Sequence, residues 1–70
     1  MEMQMGWDRT GQIIRGVYLN EFSYMGKVVD SRVKYGGDVQ HTVELFSPIV
    51  VHGQSRNRLL VNENQPFAIL

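Results

Sequence analysis

Val29-Asp30-Ser31-Arg32-Val33-Lys34-Tyr35-Gly36-Gly37-Asp38-Val39-Gln40-His41-Thr42-Val43-Glu44-Leu45 decides the fold. Apolar and polar residues alternate on both sides of a glycine pair, and a period of two belongs to a strand, not a helix. Strand register follows from that alternation, because a slip of one residue turns every side chain over. A two-residue Gly36-Gly37 loop sets Lys34 opposite Val39 and Val33 opposite Gln40, which mixes charged and apolar positions on both faces. A three-residue Gly36-Gly37-Asp38 loop pairs Tyr35 with Val39, Val33 with His41, Ser31 with Val43 and Val29 with Leu45. That register predicts one apolar face and one polar face, the latter carrying Lys34 with Gln40, Arg32 with Thr42 and Asp30 with Glu44. Such a division suits a sheet with one side on a core and one in water. The Asp30 and Glu44 carboxylates repel in this pairing unless Lys27 or Arg32 leans in.

Outward from the hairpin, glycines at 6, 11, 16, 26, 36, 37 and 53 separate segments rich in Val, Ile, Tyr and Phe. The only alanine is Ala68, and the leucines form no helical stripe, so little helix is expected. The predicted strands cover residues 11–19, 24–35, 39–46, 49–52 and 58–61, with a short last strand or tail at 66–70. Asn20-Glu21-Phe22-Ser23 reads as one connection and Gly53-Gln54-Ser55-Arg56-Asn57 as another. Gly16 marks a bend or bulge, and Pro48 suits the position just before an edge strand. The expected core is Ile13, Val17, Val29, Val33, Val43, Leu45, Val50, Leu60 and Ile69. Open edges invite aggregation and closure removes them, so the reading favours an all-β barrel of five to six antiparallel strands. Residues 1–10 read as an N-terminal arm and residues 11–70 as the single domain.

Composition limits what this domain does. A chain of 70 residues buries only roughly 60% of the surface its unfolded form exposes. Without cysteine it has neither a disulfide nor a cysteine-based zinc site to reinforce that thin core, which leaves self-association as the compatible staple. Seven basic residues balance seven acidic ones, so no global field draws the chain to nucleic acid or an anionic membrane. No apolar run approaches the ~20 residues needed to span a bilayer. Residues 1–6 lack the basic start and apolar stretch of a signal peptide, so the expected location is a reducing cytoplasm.

Gly11-Gln12-Ile13-Ile14-Arg15-Gly16-Val17-Tyr18, Gly26-Lys27-Val28-Val29, the glycine hairpin and Leu59-Leu60-Val61 follow one another as the parts of a small barrel do. In this order the chain resembles the SH3-like barrels, the group that includes KOW and Tudor modules. The resemblance covers residues 11–70 and implies a first strand, a long bent second strand, two meander strands and a short closing strand. Neither the regular glycine and basic positions of a KOW segment nor a Tudor aromatic cage carries over. In size and style the chain is also similar to the short accessory proteins of tailed bacteriophages. That likeness implies a binding protein that occupies a host protein or nucleoprotein in the host cytoplasm, for host takeover or anti-defence.

The candidate binding residues are Arg32 and Lys34 on the polar hairpin face, Arg56 and Arg58 after the fourth strand, and Phe22 and Tyr24 as exposed rings. Joined by Arg15, the four cations would make a phosphate-binding patch, since the arginine fork suits phosphate oxygens. Bases would then stack on a nearby ring. The competing reading is a solvated polar face. Tyr18 and Tyr35 are expected in or beside the core, and Trp7 over the barrel mouth or a neighbouring subunit. His41 is expected to be buried and hydrogen-bonded, and the pair His41 and His52 makes a weak metal signal. No catalytic grouping of Ser, His and carboxylate stands out, and Gly36-Gly37 turns a hairpin instead of opening a phosphate-binding helix. The chain is therefore expected to be no enzyme and to need no cofactor. Its alternatives are a homo-oligomer that sequesters a phosphorylated ligand such as a signalling nucleotide, and a direct nucleic-acid-binding module.

Overall fold

The glycine hairpin is the centre of a five-stranded antiparallel sheet in the computed structural model, which describes residues 6–70. The first five residues of the expected arm lie outside the described residues. The strands are β1 (Ile13–Tyr18), β2 (Phe22–Val33), β3 (Val39–Val51), β4 (Gln54–Asn62) and β5 (Phe67–Ile69), in the spatial order β4-β3-β2-β1-β5. The all-β antiparallel class is as expected, with five strands. The strands read as separate at 39–46 and 49–52 are joined in the single strand β3, which ends at Val51. Its ladder with β4 is interrupted between Glu44 and Ile49, and Pro48 falls in that gap, where a missing N–H costs no bond to β4.

The β2–β3 loop has three residues, as predicted, but they are Tyr35-Gly36-Gly37. The Lys34 N–H donates to the Asp38 carbonyl at 2.6 Å and the Gly37 N–H to the Lys34 carbonyl at 2.9 Å. Both glycines take φ values, 98° and 91°, that side chains disfavour. Val33 therefore stands opposite Val39 and Ser31 opposite His41, two residues from the expected register. A shift of two preserves faces, so His41 and Val43 point inward as predicted. The shift also strands Tyr35 at the tip, fully exposed instead of in the core. The like-charge clash is absent, because Lys27 stands opposite Glu44 and Asp30 opposite Thr42.

An extra residue, Val29, bulges from β2 between Val28 opposite Val43 and Asp30 opposite Thr42. The bulge changes which alternate residues of β2 face the core. Tyr24, Gly26 and Val28 are buried, while Val29 is exposed. The core cluster is Ile14, Tyr24, Val28, Val43, Leu59 and Val61, with Tyr18, Leu45, Ile49 and Phe67 packed against it. Of the expected core, Val43 is buried and Leu45 half-buried. Ile13, Val17, Val29, Val33, Val50, Leu60 and Ile69 are instead exposed.

Two further turns need left-handed backbone. His52 and Gly53, at φ 50° and 79°, form a two-residue turn between Val51 and Gln54. That geometry matches the right-handed twist of paired strands, and it turns most of the expected loop 53–57 into strand. Leu19 and Asn20, at φ 54° and 56°, turn the β1–β2 hairpin, with the Glu21 N–H donating to the Tyr18 carbonyl at 3.1 Å. Left-handed backbone costs a leucine about 1 kcal/mol, which asparagine largely avoids. Leu19 is also half exposed and buries little. Leu19→Asn is expected to stabilise the domain by about 1 kcal/mol, a rise of about 4–8 °C in thermal midpoint. An unchanged or lower midpoint would mean that the Leu19 side chain contributes more than its backbone costs.

The ladder does not close: among the described residues β4 pairs only with β3, and β5 only with β1. The sheet is nonetheless strongly curled. His41 on β3 and Phe67 on β5 lie three strands apart, a separation of about 14 Å on a flat sheet. Their ring centroids are 6.1 Å apart, edge to face at 77°. The concave side is thus drawn together by side chains.

Candidate functional site

At the centre of the concave side lies a polar chain that the sequence reading missed. The Ser31 hydroxyl is 2.7 Å from His41 Nδ1, and His41 Nε2 is 2.8 Å from Glu63 Oε1. Arg9 grips Glu63 with two parallel bonds, Nε to Oε1 at 2.8 Å and Nη2 to Oε2 at 2.9 Å. Its backbone N–H donates to Ser31 Oγ at 3.1 Å. The Glu63 carboxylate only accepts, so His41 Nε2 carries the proton between them, while Ser31 Oγ, which accepts from the Arg9 N–H, shares a further hydrogen bond with His41 Nδ1. The Arg9 guanidinium also lies 5.4 Å from the centroid of Phe67. The hydrogen bond from Arg9, joined by the interaction with His41, holds the Glu63 carboxyl below its ordinary value.

A serine, a histidine and a carboxylate in sequence invite comparison with a nucleophilic triad. In such a triad the hydroxyl faces a substrate and the acid is free to support an imidazolium. Here His41 has no exposed surface, and Arg9 occupies both the Ser31 oxygen and the Glu63 charge. This arrangement ties Arg9 to β2, β3 and the segment after β4. Arg9, read as part of an N-terminal arm, is bonded to Ser31 and Glu63 of the domain.

The second feature is a cleft. β2 and β3 pair only as far as Gly26 opposite Leu45, although β2 begins at Phe22 and β3 continues to Val51. Residues 22–25 and 46–49 therefore splay apart. Between them is a recess of about 420 Å³ bounded by Arg15, Ser23, Met25, Phe46, Pro48 and Ile49. A second recess, of about 560 Å³, continues past Arg15 and Tyr24 to Pro66, Phe67 and Ala68 of the β5 edge. Met25 and Phe46 are about half exposed. Arg15 is exposed and, among the described residues, makes no ion pair.

The predicted site residues are dispersed. Arg32 lies near Asp30 at 3.8 Å and Arg58 near Glu44 at 3.5 Å, both pairs well exposed. Arg32 stands opposite Gln40 and Arg58 opposite Glu44, which separates them by about 16 Å across the sheet. Lys34 sits at the base of the glycine loop and Arg56 opposite Ile49 on the far arm of the β3–β4 hairpin. Arg15 lies on β1 beside Met25, away from all four. Phe22 is half-buried at the start of β2. Tyr24, expected to be an exposed ring, is buried at 7% exposure because the bulge turns it inward, and burial pushes its phenol pKa up. Trp7 is partly exposed. Among the described residues no three His, Cys, Asp or Glu side chains stand together as a metal site. No helix there is long and apolar enough to cross a membrane.

Fold and cleft together define a curled antiparallel sheet with a split between its two long hairpins. The chain matches no family model, no curated protein and no solved structure.

Proposed function

We propose that this chain is a non-enzymatic binding protein that occupies another protein through the cleft between the β1–β2 and β3–β4 hairpins. The observation that carries the reading is the splayed pair of strand edges flanked by Met25, Phe46 and the uncompensated Arg15. Exposed apolar side chains beside unmatched strand edges are a surface that water serves poorly and a protein serves well. The strand order, a meander whose short last strand returns beside the first, supports an SH3-like relationship. The likeness to short phage accessory proteins makes a host protein or nucleoprotein the partner class. The dispersal of Arg32, Lys34, Arg56 and Arg58 gives less support to a phosphate or nucleic-acid patch.

Affinity capture from a bacterial lysate, run in parallel with the wild-type chain and Phe46→Asp, tests this. Phe46 is 56% exposed, so the variant is expected to keep its fold by circular dichroism. Its captured protein should fall at least tenfold. Equal recovery by both chains, or a nucleotide that raises the unfolding temperature, would overturn the reading.

A further inference from the structure

We infer that the cleft takes an extended peptide segment of a partner protein, alternating apolar and acidic side chains, which adds as a strand to the β2 edge at residues 22–25. This rests on the protein-binding reading above and specifies how it is accomplished. β2 is paired with β1 through residues 22–25 on one side, but on the other its ladder with β3 stops at Gly26. Alternate residues of this stretch therefore present an N–H and a C=O toward the cleft, the arrangement that strand addition uses. The facing edge of β3 is the poorer template, because Pro48 has no N–H to donate.

Side-chain chemistry narrows the ligand. Met25 and Phe46, both about half exposed, offer apolar ground for every second residue of an added strand. Arg15 stands directly opposite Met25 on β1 and lines the same recess, and no carboxylate among the described residues pairs with it. A carboxylate on the incoming strand supplies that partner. The edges of a second copy fit badly. β4 carries Arg56 and Arg58 and no acid, and β5 is Phe67-Ala68-Ile69. A nucleotide would find one guanidinium, the largely buried Tyr24 and two serine hydroxyls, Ser23 and Ser47, and would leave the strand edge unpaired.

The test is selection of displayed random octapeptides on the full chain, followed by amide exchange of the complex by NMR. The selected peptides should alternate apolar and acidic residues, and cleft-facing amides within 22–25 should gain protection. Arg15→Glu should weaken the best peptide at least tenfold and favour its lysine-for-acid counterpart, and since Arg15 is exposed the variant should fold normally. Peptides without acids, peptides indifferent to Arg15→Glu, or binding that leaves 22–25 unprotected would overturn the inference. If no peptide is selected while Phe46→Asp still loses its captured partner, strand addition falls and the protein-binding reading stands. If wild-type and Phe46→Asp chains also capture alike, both fall.

Discussion

Gly26→Ala is expected to cost about 3 kcal/mol, the upper part of the range for overpacked cores. Gly26 lies on the row Ile14, Gly26, Leu45, with its own backbone buried against β3. An added Cβ would meet the Glu44 carbonyl oxygen, with Val43 Cγ1 at 2.8 Å and the Glu44 carbonyl carbon at 2.9 Å. Two of these three atoms are backbone, so no rotamer change makes room. β3 must move away from β2 at the last rung before the cleft. In a domain whose total stability is on the order of 5 kcal/mol, this lowers the thermal midpoint by about 12 °C or more. Thermal unfolding followed by circular dichroism measures it. A loss below about 1 kcal/mol would mean that β2 and β3 are already loosely apposed there.

The second large effect is expected at Glu63. Glu63→Leu leaves His41 Nε2, wholly buried, without its acceptor, and removes the anion gripped by Arg9. An orphaned buried polar group costs about 2 kcal/mol, whereas Glu63→Gln keeps a side-chain oxygen for His41 and should cost about 1 kcal/mol. The two variants also separate by pH. Glu63 titrates below its ordinary value of 4.5, chiefly through Arg9 and secondarily through His41. A carboxyl with a lowered folded value contributes stability that is fully present above 4.5 and is lost as pH falls through the folded value. In that window the unfolded chain binds more protons, so stability rises with pH. Denaturant unfolding between pH 3 and pH 7 should show a steeper acid loss for wild type than for Glu63→Gln. Parallel curves would place the acid sensitivity elsewhere.

The all-β class and the glycine hairpin were legible in the sequence, whereas the break expected around Pro48, the loop expected at 53–57 and the inward members of several apolar doublets were not. Ile13-Ile14, Val28-Val29, Val50-Val51 and Leu59-Leu60 each offer two equal candidates for the core. The structure buries Ile14, Val28, Val51 and Leu59, the opposite member in every case. A signal was present in the charges two residues away. Arg15 shares a face with Ile13 and Val17, and Arg58 with Leu60, so exposing the arginines commits those apolar neighbours to water. The bulge at Val29 had no such local sign, because either valine of its doublet fits an extra residue. His41 was legible as a buried, hydrogen-bonded histidine, since β3 alternates cleanly around it. Its partner Glu63 was not, because their approach follows from the pairing of Gln40 with Asn62. The cleft was hidden for the same reason: it is a place where two strands fail to pair, and no local pattern marks it.

The joining of β1 to β5 has a mechanical consequence. The Leu70 N–H donates to the Ile13 carbonyl at 2.8 Å, so the start of the first strand and the finish of the last meet at one end of their shared ladder. Tension applied at those two points loads the rungs one after another, as in opening a zipper, not all together in shear. With β5 only three residues long, a pull between those two points is expected to detach β5 rung by rung, at a force set by single rungs of the ladder.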